Sequence, residues 1–106
     1  MAGNASQLDI LYARIAARRQ ADPSTSYTAK LLEEGPAGCA RKLGEEAVET
    51  MVAALSGTPG DLVAESADLL YHWLVLLAAR DVDPAAVYEE LARREGRSGL
   101  EEKAAR

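Results

Sequence analysis

Two pairs of carboxylates stand out. Glu46 and Glu49 are three residues apart, and Glu65 and Asp68 repeat that spacing after a 15-residue gap. On a helix, residues three apart share a face, so each pair predicts two oxygens pointing the same way. Acids so placed are often solvated surface. The second pair resists that reading, because it runs directly into Leu69-Leu70-Tyr71-His72-Trp73-Leu74. Ionised carboxylates at the edge of a core lose hydration, repel one another, and either protonate or find a cation. Lys42 is the only Lys or Arg between positions 42 and 79. A hard divalent cation resolves the conflict. Mg²⁺ takes oxygen ligands and keeps open positions for substrate phosphates, which makes Glu46, Glu49, Glu65 and Asp68 its expected ligands.

Such a site needs two helices facing each other, and the sequence supplies them. It predicts an all-α fold of five helical segments, at about 6–20, 27–34, 39–56, 61–80 and 84–96. Ser6, Asp61 and Asp83 serve as N-caps, and Gly35-Pro36, Gly57-Thr58-Pro59-Gly60 and Gly96 as breaks. The gap between the acidic pairs is long enough to end one helix, turn and start an antiparallel one. The polar tail, 97–106, is expected to be peripheral and partly helical, and residues 1–6 to be flexible or peripheral.

The chain has 106 residues, enough for one domain, 1–106. Its composition, 48% hydrophobic and 27% charged with no Phe, is that of a globular helical protein. A net charge of −5 argues against general nucleic-acid binding. The lone Cys39 excludes an intramolecular disulfide and is expected as small core filler. No signal peptide is evident, and the apolar run 69–79, interrupted by His72, is too short to span a bilayer, so a cytoplasmic protein without membrane partner is expected. Ten of its eleven residues are apolar. A helix greasy on nearly all sides needs more cover than so short a chain provides, which predicts a homodimer with this helix at the interface.

The pattern Glu-x-x-Glu, spacer, Glu-x-x-Asp resembles that of the MazG-like, all-α nucleoside triphosphate pyrophosphohydrolases. Three further strings narrow the likeness to phosphoribosyl-ATP pyrophosphohydrolase of histidine biosynthesis: Ser26-Tyr27-Thr28-Ala29-Lys30-Leu31-Leu32, then Lys42-Leu43-Gly44-Glu45-Glu46-Ala47-Val48-Glu49, and Ala67-Asp68-Leu69-Leu70-Tyr71-His72, with a tail of the form Arg97-Ser98-Gly99-x-Glu101-Glu102-Lys103-Ala104. The resemblance covers about 8–106. It departs at Gly35-Pro36-Ala37-Gly38-Cys39, where such proteins carry a more charged, helix-friendly sequence.

The resemblance implies a four-helix-bundle core completed by dimerisation, and hydrolysis of phosphoribosyl-ATP to phosphoribosyl-AMP and pyrophosphate with Mg²⁺. It implies catalytic roles for Glu45, Glu46 and Glu49, Glu45 either joining the metal site or taking the proton of the attacking water. Lys30 and Lys42 would meet phosphate oxygens. Arg18, near the 24–26 loop, and Ser26 and Tyr27, at the start of a helix whose amides can receive an anion, complete the substrate-binding candidates. For Ser26 the alternative is simple capping. His72 is read as a core or interface histidine, with orientation of a ligand carboxylate as the alternative. A housecleaning hydrolase of non-standard nucleoside triphosphates is the rival activity, and a non-catalytic helical dimer the rival of a different class.

Overall fold

The computed structural model describes residues 3–106. It is all helical: α1 (Gln7–Ala17) runs into a short 3₁₀ turn (Arg18–Gln20), followed by α2 (Tyr27–Ser56), α3 (Pro59–Ala79), α4 (Pro84–Arg93) and α5 (Gly99–Ala105), with no strand among the described residues. α2 and α3 form a long hairpin, and α1 lies against α3.

The predicted helices at 27–34 and 39–56 are two segments of one kinked helix. Gly35 sits at φ 82°, ψ −179°, a conformation open essentially to glycine alone. Pro36, which has no N–H to leave unmet, restarts the helix at once, so the second segment begins three residues earlier than Cys39. Cys39 spans the kink and is 1% exposed, its Sγ donating to the Leu31 carbonyl oxygen at 3.2 Å.

Two further boundaries differ from expectation. Thr58, not Asp61, caps α3. Its hydroxyl accepts from the Asp61 N–H at 3.1 Å while Asp61 Oδ2 accepts from the Thr58 N–H at 2.9 Å, with Pro59 in the first turn. α4 ends at Arg93, ahead of the Gly96 break. Asp83 caps α4 as expected, its side chain accepting from Ala85 N–H at 2.9 Å, whereas Ser6 makes no side-chain cap at α1.

The core gathers Ile15 of α1, Leu31 and Cys39 around the kink, and Leu74, Val75 and Ala78 of α3. It therefore lies toward one end of the α2–α3 hairpin. By length and composition α3 could cross a membrane, its most apolar stretch having a mean hydropathy of 1.4. Here it packs on α1 and α2 instead. Arg19 finishes its C-terminus, donating to the Ala78 carbonyl and pairing with Asp81 at 2.6 Å, where Asp81 turns the chain at φ 56°. Beyond the core, toward the Ser56–Pro59 turn, Val48, Met51, Val52 and Leu55 of α2 and Val63 of α3 are exposed.

Candidate metal and substrate site

The acids sit between the core and this bare apolar end. Carboxylate oxygens of Glu46, Glu49 and Glu65 lie within 4.8 Å of one another, two from α2 and one from α3. Glu46 is buried, Glu65 half-buried and Glu49 exposed, so the cluster opens to solvent on the Glu49 side. Thr50, one turn beyond Glu46, ties the helices together at this level: its hydroxyl faces the carbonyl oxygens of Glu46 at 2.8 Å and Glu65 at 3.2 Å. A groove of about 360 Å³ runs from Glu49 and Glu65 past Asp61, with Val48, Val52 and Ala53 as its apolar wall.

The electrostatics are those of a crowded, partly desolvated anion cluster. Glu46 is held above the usual carboxylate range by burial first, then by its hydrogen bond with Glu49 and repulsion from Glu49, Asp68 and Glu65. Glu65 is raised for the same reasons, with Asp61 adding to the repulsion. One oxygen of each, Oε2, is buried without a hydrogen-bond partner. Orphaned buried carboxylate oxygens are costly. An all-oxygen donor set with orphaned lone pairs converging from two helices fits a hard divalent cation. Asp68 is exposed and stands outside the tightest trio, yet close enough that its charge raises both Glu46 and Glu65.

His72 is buried behind Glu46, with Nε2 3.9 Å from Glu46 Oε1 and Nδ1 unpartnered. Burial, and then the Lys42 charge, lowers its pKa against the opposing pull of Asp68 and Glu45. The ring packs edge-on to Tyr71 at 4.9 Å and to Tyr27 at 6.2 Å. Tyr71 in turn shares a 2.6 Å hydrogen bond with Thr28, which fixes it under the Tyr27 ring.

The remaining candidates divide into three places. Tyr27, Lys30 and Lys42 line one groove of about 180 Å³, together with Leu31, Glu34 and Arg41. Glu45 points its charge at Arg41, 3.0 Å away, and is not among the gathered acids. Ser26 caps α2, its hydroxyl accepting from Ala29 N–H at 3.1 Å. Arg18 lies elsewhere, in a concavity formed with Arg14, Ala17, Gln20 and Ala21 that shares no residue with the acids or the cationic groove.

Thr50, Arg41 and Asp61 were not singled out by motif. The signal for Asp61 was present, since Asp61, Glu65 and Asp68 are spaced four and three apart, but Asp61 reads equally as a helix-start residue. Thr50 also lies one turn from Glu46, yet a threonine in mid-helix announces nothing until its neighbour helix is in place.

The sequence matches the phosphoribosyl-ATP pyrophosphohydrolase family over residues 8–95. Curated relatives agree. The chain is 69% identical to the phosphoribosyl-ATP pyrophosphatase of Parvibaculum lavamentivorans over its full length and 97% of that protein. It is 62% identical to that of Paracoccus denitrificans, over 87% of this chain and 85% of the relative. With that of Azospirillum brasilense the identity is 56%, over 97% and 93% respectively. A match spanning nearly the whole chain, on a helical hairpin that gathers carboxylates from both its arms, places this protein in the phosphoribosyl-ATP pyrophosphohydrolase family.

Proposed function

We propose that this chain is a Mg²⁺-dependent enzyme of histidine biosynthesis, hydrolysing phosphoribosyl-ATP to phosphoribosyl-AMP and pyrophosphate as a cytoplasmic homodimer. One observation carries the metal-dependent part. The trio Glu46, Glu49 and Glu65 places orphaned buried oxygens on facing helices, with no Lys or Arg among them. Family membership supports the substrate.

In this reading Glu46, Glu49, Glu65 and Asp68 hold the metal. When bound, Mg²⁺ neutralises a polyphosphate that a −5 protein would otherwise repel and polarises the phosphorus under attack. Lys30 and Lys42 bind phosphate oxygens, and the first turn of α2 at Ser26 and Tyr27 presents backbone amides toward the substrate. Arg18 contacts the substrate at the periphery, from its separate concavity. A water oxygen forms a bond to phosphorus as the α–β bridging P–O bond breaks. Glu45 takes the water's proton, on release from Arg41, while Glu46 and Glu49 keep the reacting group in register.

Pyrophosphate release from phosphoribosyl-ATP, measured beside a panel of nucleoside triphosphates with and without Mg²⁺, tests the proposal. Selective, Mg²⁺-dependent release is expected. Equal turnover of the panel would favour a housecleaning role, and turnover without divalent metal would overturn the metal mechanism.

A further inference from the structure

The acidic cluster accounts for a triphosphate, but phosphoribosyl-ATP carries a second phosphate on a ribose joined to the far edge of the adenine. A hydrolase of plain nucleoside triphosphates has no use for a site that binds it. Resting on the substrate reading above, we infer that the groove lined by Tyr27, Lys30, Arg41 and Lys42 receives this second, phosphoribosyl arm and thereby sets specificity.

The charges are sorted along α2. Glu49 and Glu46 follow each other on one face, Lys42 lies one turn before Glu46, and Arg41 is beside it; from Glu49 back to Lys42 is roughly 11 Å of helix. The kink at Gly35 folds the first segment so that Tyr27 and Lys30 line the same groove as Arg41 and Lys42. Three cations thus converge, offset by Glu34 within the groove and by Glu45, which pairs with Arg41. Lys30 and Lys42 form no ion pair among the described residues. A dianionic sugar phosphate suits such a groove; a metal cation does not.

An aromatic surface links the two charge zones. Tyr27 is 55% exposed, lies nearly parallel to Tyr71 with ring centres 6.4 Å apart, and touches the His72 ring that backs Glu46. Its free face offers a purine a stacking platform between the acids and the cations. The order acids, aromatic, cations therefore follows the order triphosphate, adenine, phosphoribosyl in the substrate.

The test compares competitive inhibitors of phosphoribosyl-ATP turnover, ATP for one arm and ribose 5-phosphate for the other, in wild type, Lys30→Gln, Arg41→Gln and Lys30→Arg. Circular dichroism checks folding of each variant. The glutamine variants should raise KM for phosphoribosyl-ATP and the inhibition constant of ribose 5-phosphate at least tenfold, and that of ATP less than threefold, with Lys30→Arg, which keeps the charge, weakened less than Lys30→Gln. Equal weakening of both inhibitors would place the triphosphate in the groove and overturn the inference while leaving the substrate reading intact. Calorimetry with ribose 5-phosphate alone reads the groove without turnover. No binding to wild type at millimolar concentration would overturn the inference. A wild type that binds the sugar phosphate but does not hydrolyse phosphoribosyl-ATP would overturn the substrate reading instead.

Discussion

At the scale of single residues, the site is defined by what Glu46 lacks. The residue is 9% exposed, surrounded by like charge and by a histidine whose pKa burial lowers. Because its folded pKa lies above the ordinary 4.5, its protonated form is the one the fold prefers. The contribution to metal-free stability is fully present below about pH 4.5 and is lost as pH rises through the raised folded value. Glu65 acts in the same direction. The expected outcome is a metal-free wild type that loses Tm relative to Glu46→Gln as pH climbs above about 4.5 and recovers on adding Mg²⁺. The comparison cancels the opposite contribution of His72, whose lowered pKa costs stability as pH falls below 6.5. Glu46→Gln should raise the metal-free Tm at pH 7 and remove most of the Mg²⁺ response; a Mg²⁺ response equal to wild type would remove Glu46 from the ligand set. Glu49→Gln and Asp68→Asn, on the open side, should each cut turnover by about a hundredfold without loss of fold, on the scale of a lost metal contact. Full activity in either variant would exclude that residue. The acidic face was legible in the sequence because i, i+3 spacing alone puts both acids of a pair on one side. Which acid would be buried was not, since that depends on the helix opposite. Arg18 shows the reverse limit. Nearness in sequence to the 24–26 loop suggests a phosphate contact, but not that Arg18 lines a concavity with Arg14, Ala17, Gln20 and Ala21, apart from the acids.

At the scale of elements, the kink in α2 decides whether the cationic groove exists. Gly35 has open space where a Cβ would stand, so a substitution there meets no neighbour; its cost lies in the backbone, held at φ 82°. Gly35→Ala should therefore destabilise by about 1–3 kcal/mol and weaken substrate binding more than metal binding. Unchanged thermal stability would mean the backbone can relax without penalty. Gly35-Pro36 was readable as a break, but not as a kink that the helix continues through, because that outcome rests on the packing of Leu31 and Cys39 against α3. The tail shows a similar gap between pattern and placement. Glu102 is buried against Arg93 at 2.6 Å, with Arg94 and Arg97 at 3.6 and 3.4 Å, so α5 returns to the end of α4 through one carboxylate. Hydrogen bonds from Arg93 and Arg94 hold Glu90 down to about 2, and Arg93 likewise depresses Glu102. Glu90 pairs within α4, so the docked tail rests on Glu102, whose contribution is present above about pH 4.5 and is lost as pH falls through its depressed folded value. Chemical shifts of residues 99–105 should therefore lose their helical character over that range. A tail that remains helical and docked at pH 2 would show that the arginine cluster is not what holds it.

At the scale of the whole molecule, the hairpin is finished at one end and bare at the other. Ile15, Leu74, Val75 and Ala78 are at most 1% exposed, whereas Leu55 is 89% and Val63 70% exposed. Val48, Met51, Val52 and Leu55 recur at the three- and four-residue spacing of a single stripe on α2, and Val63 and Leu70 continue it on α3 one heptad apart. The greasy character of α3 was legible in the sequence, and the demand for cover was inferred from it. The single chain meets that demand only over the C-terminal half of the helix, where α1 and the first segment of α2 reach. Two such hairpins, each offering the same pair of stripes, can bury them in a symmetric four-helix arrangement, which is how a C2 pair satisfies a self-complementary surface. The acids lie beside these stripes: Val48, Val52 and Ala53 wall the groove that Glu49 and Glu65 open into. Self-association would thus exclude water from the reacting phosphate as well as cover apolar surface. Sedimentation velocity should show a dimer at micromolar concentration. Leu55→Asp, at a position 89% exposed on the bare stripe, should shift it toward monomer, while Leu100→Asp, on the tail and 82% exposed, should leave it unchanged. Turnover of the Leu55 variant should then rise with protein concentration in step with the dimer fraction. A monomeric wild type at full activity would break the link between assembly and catalysis.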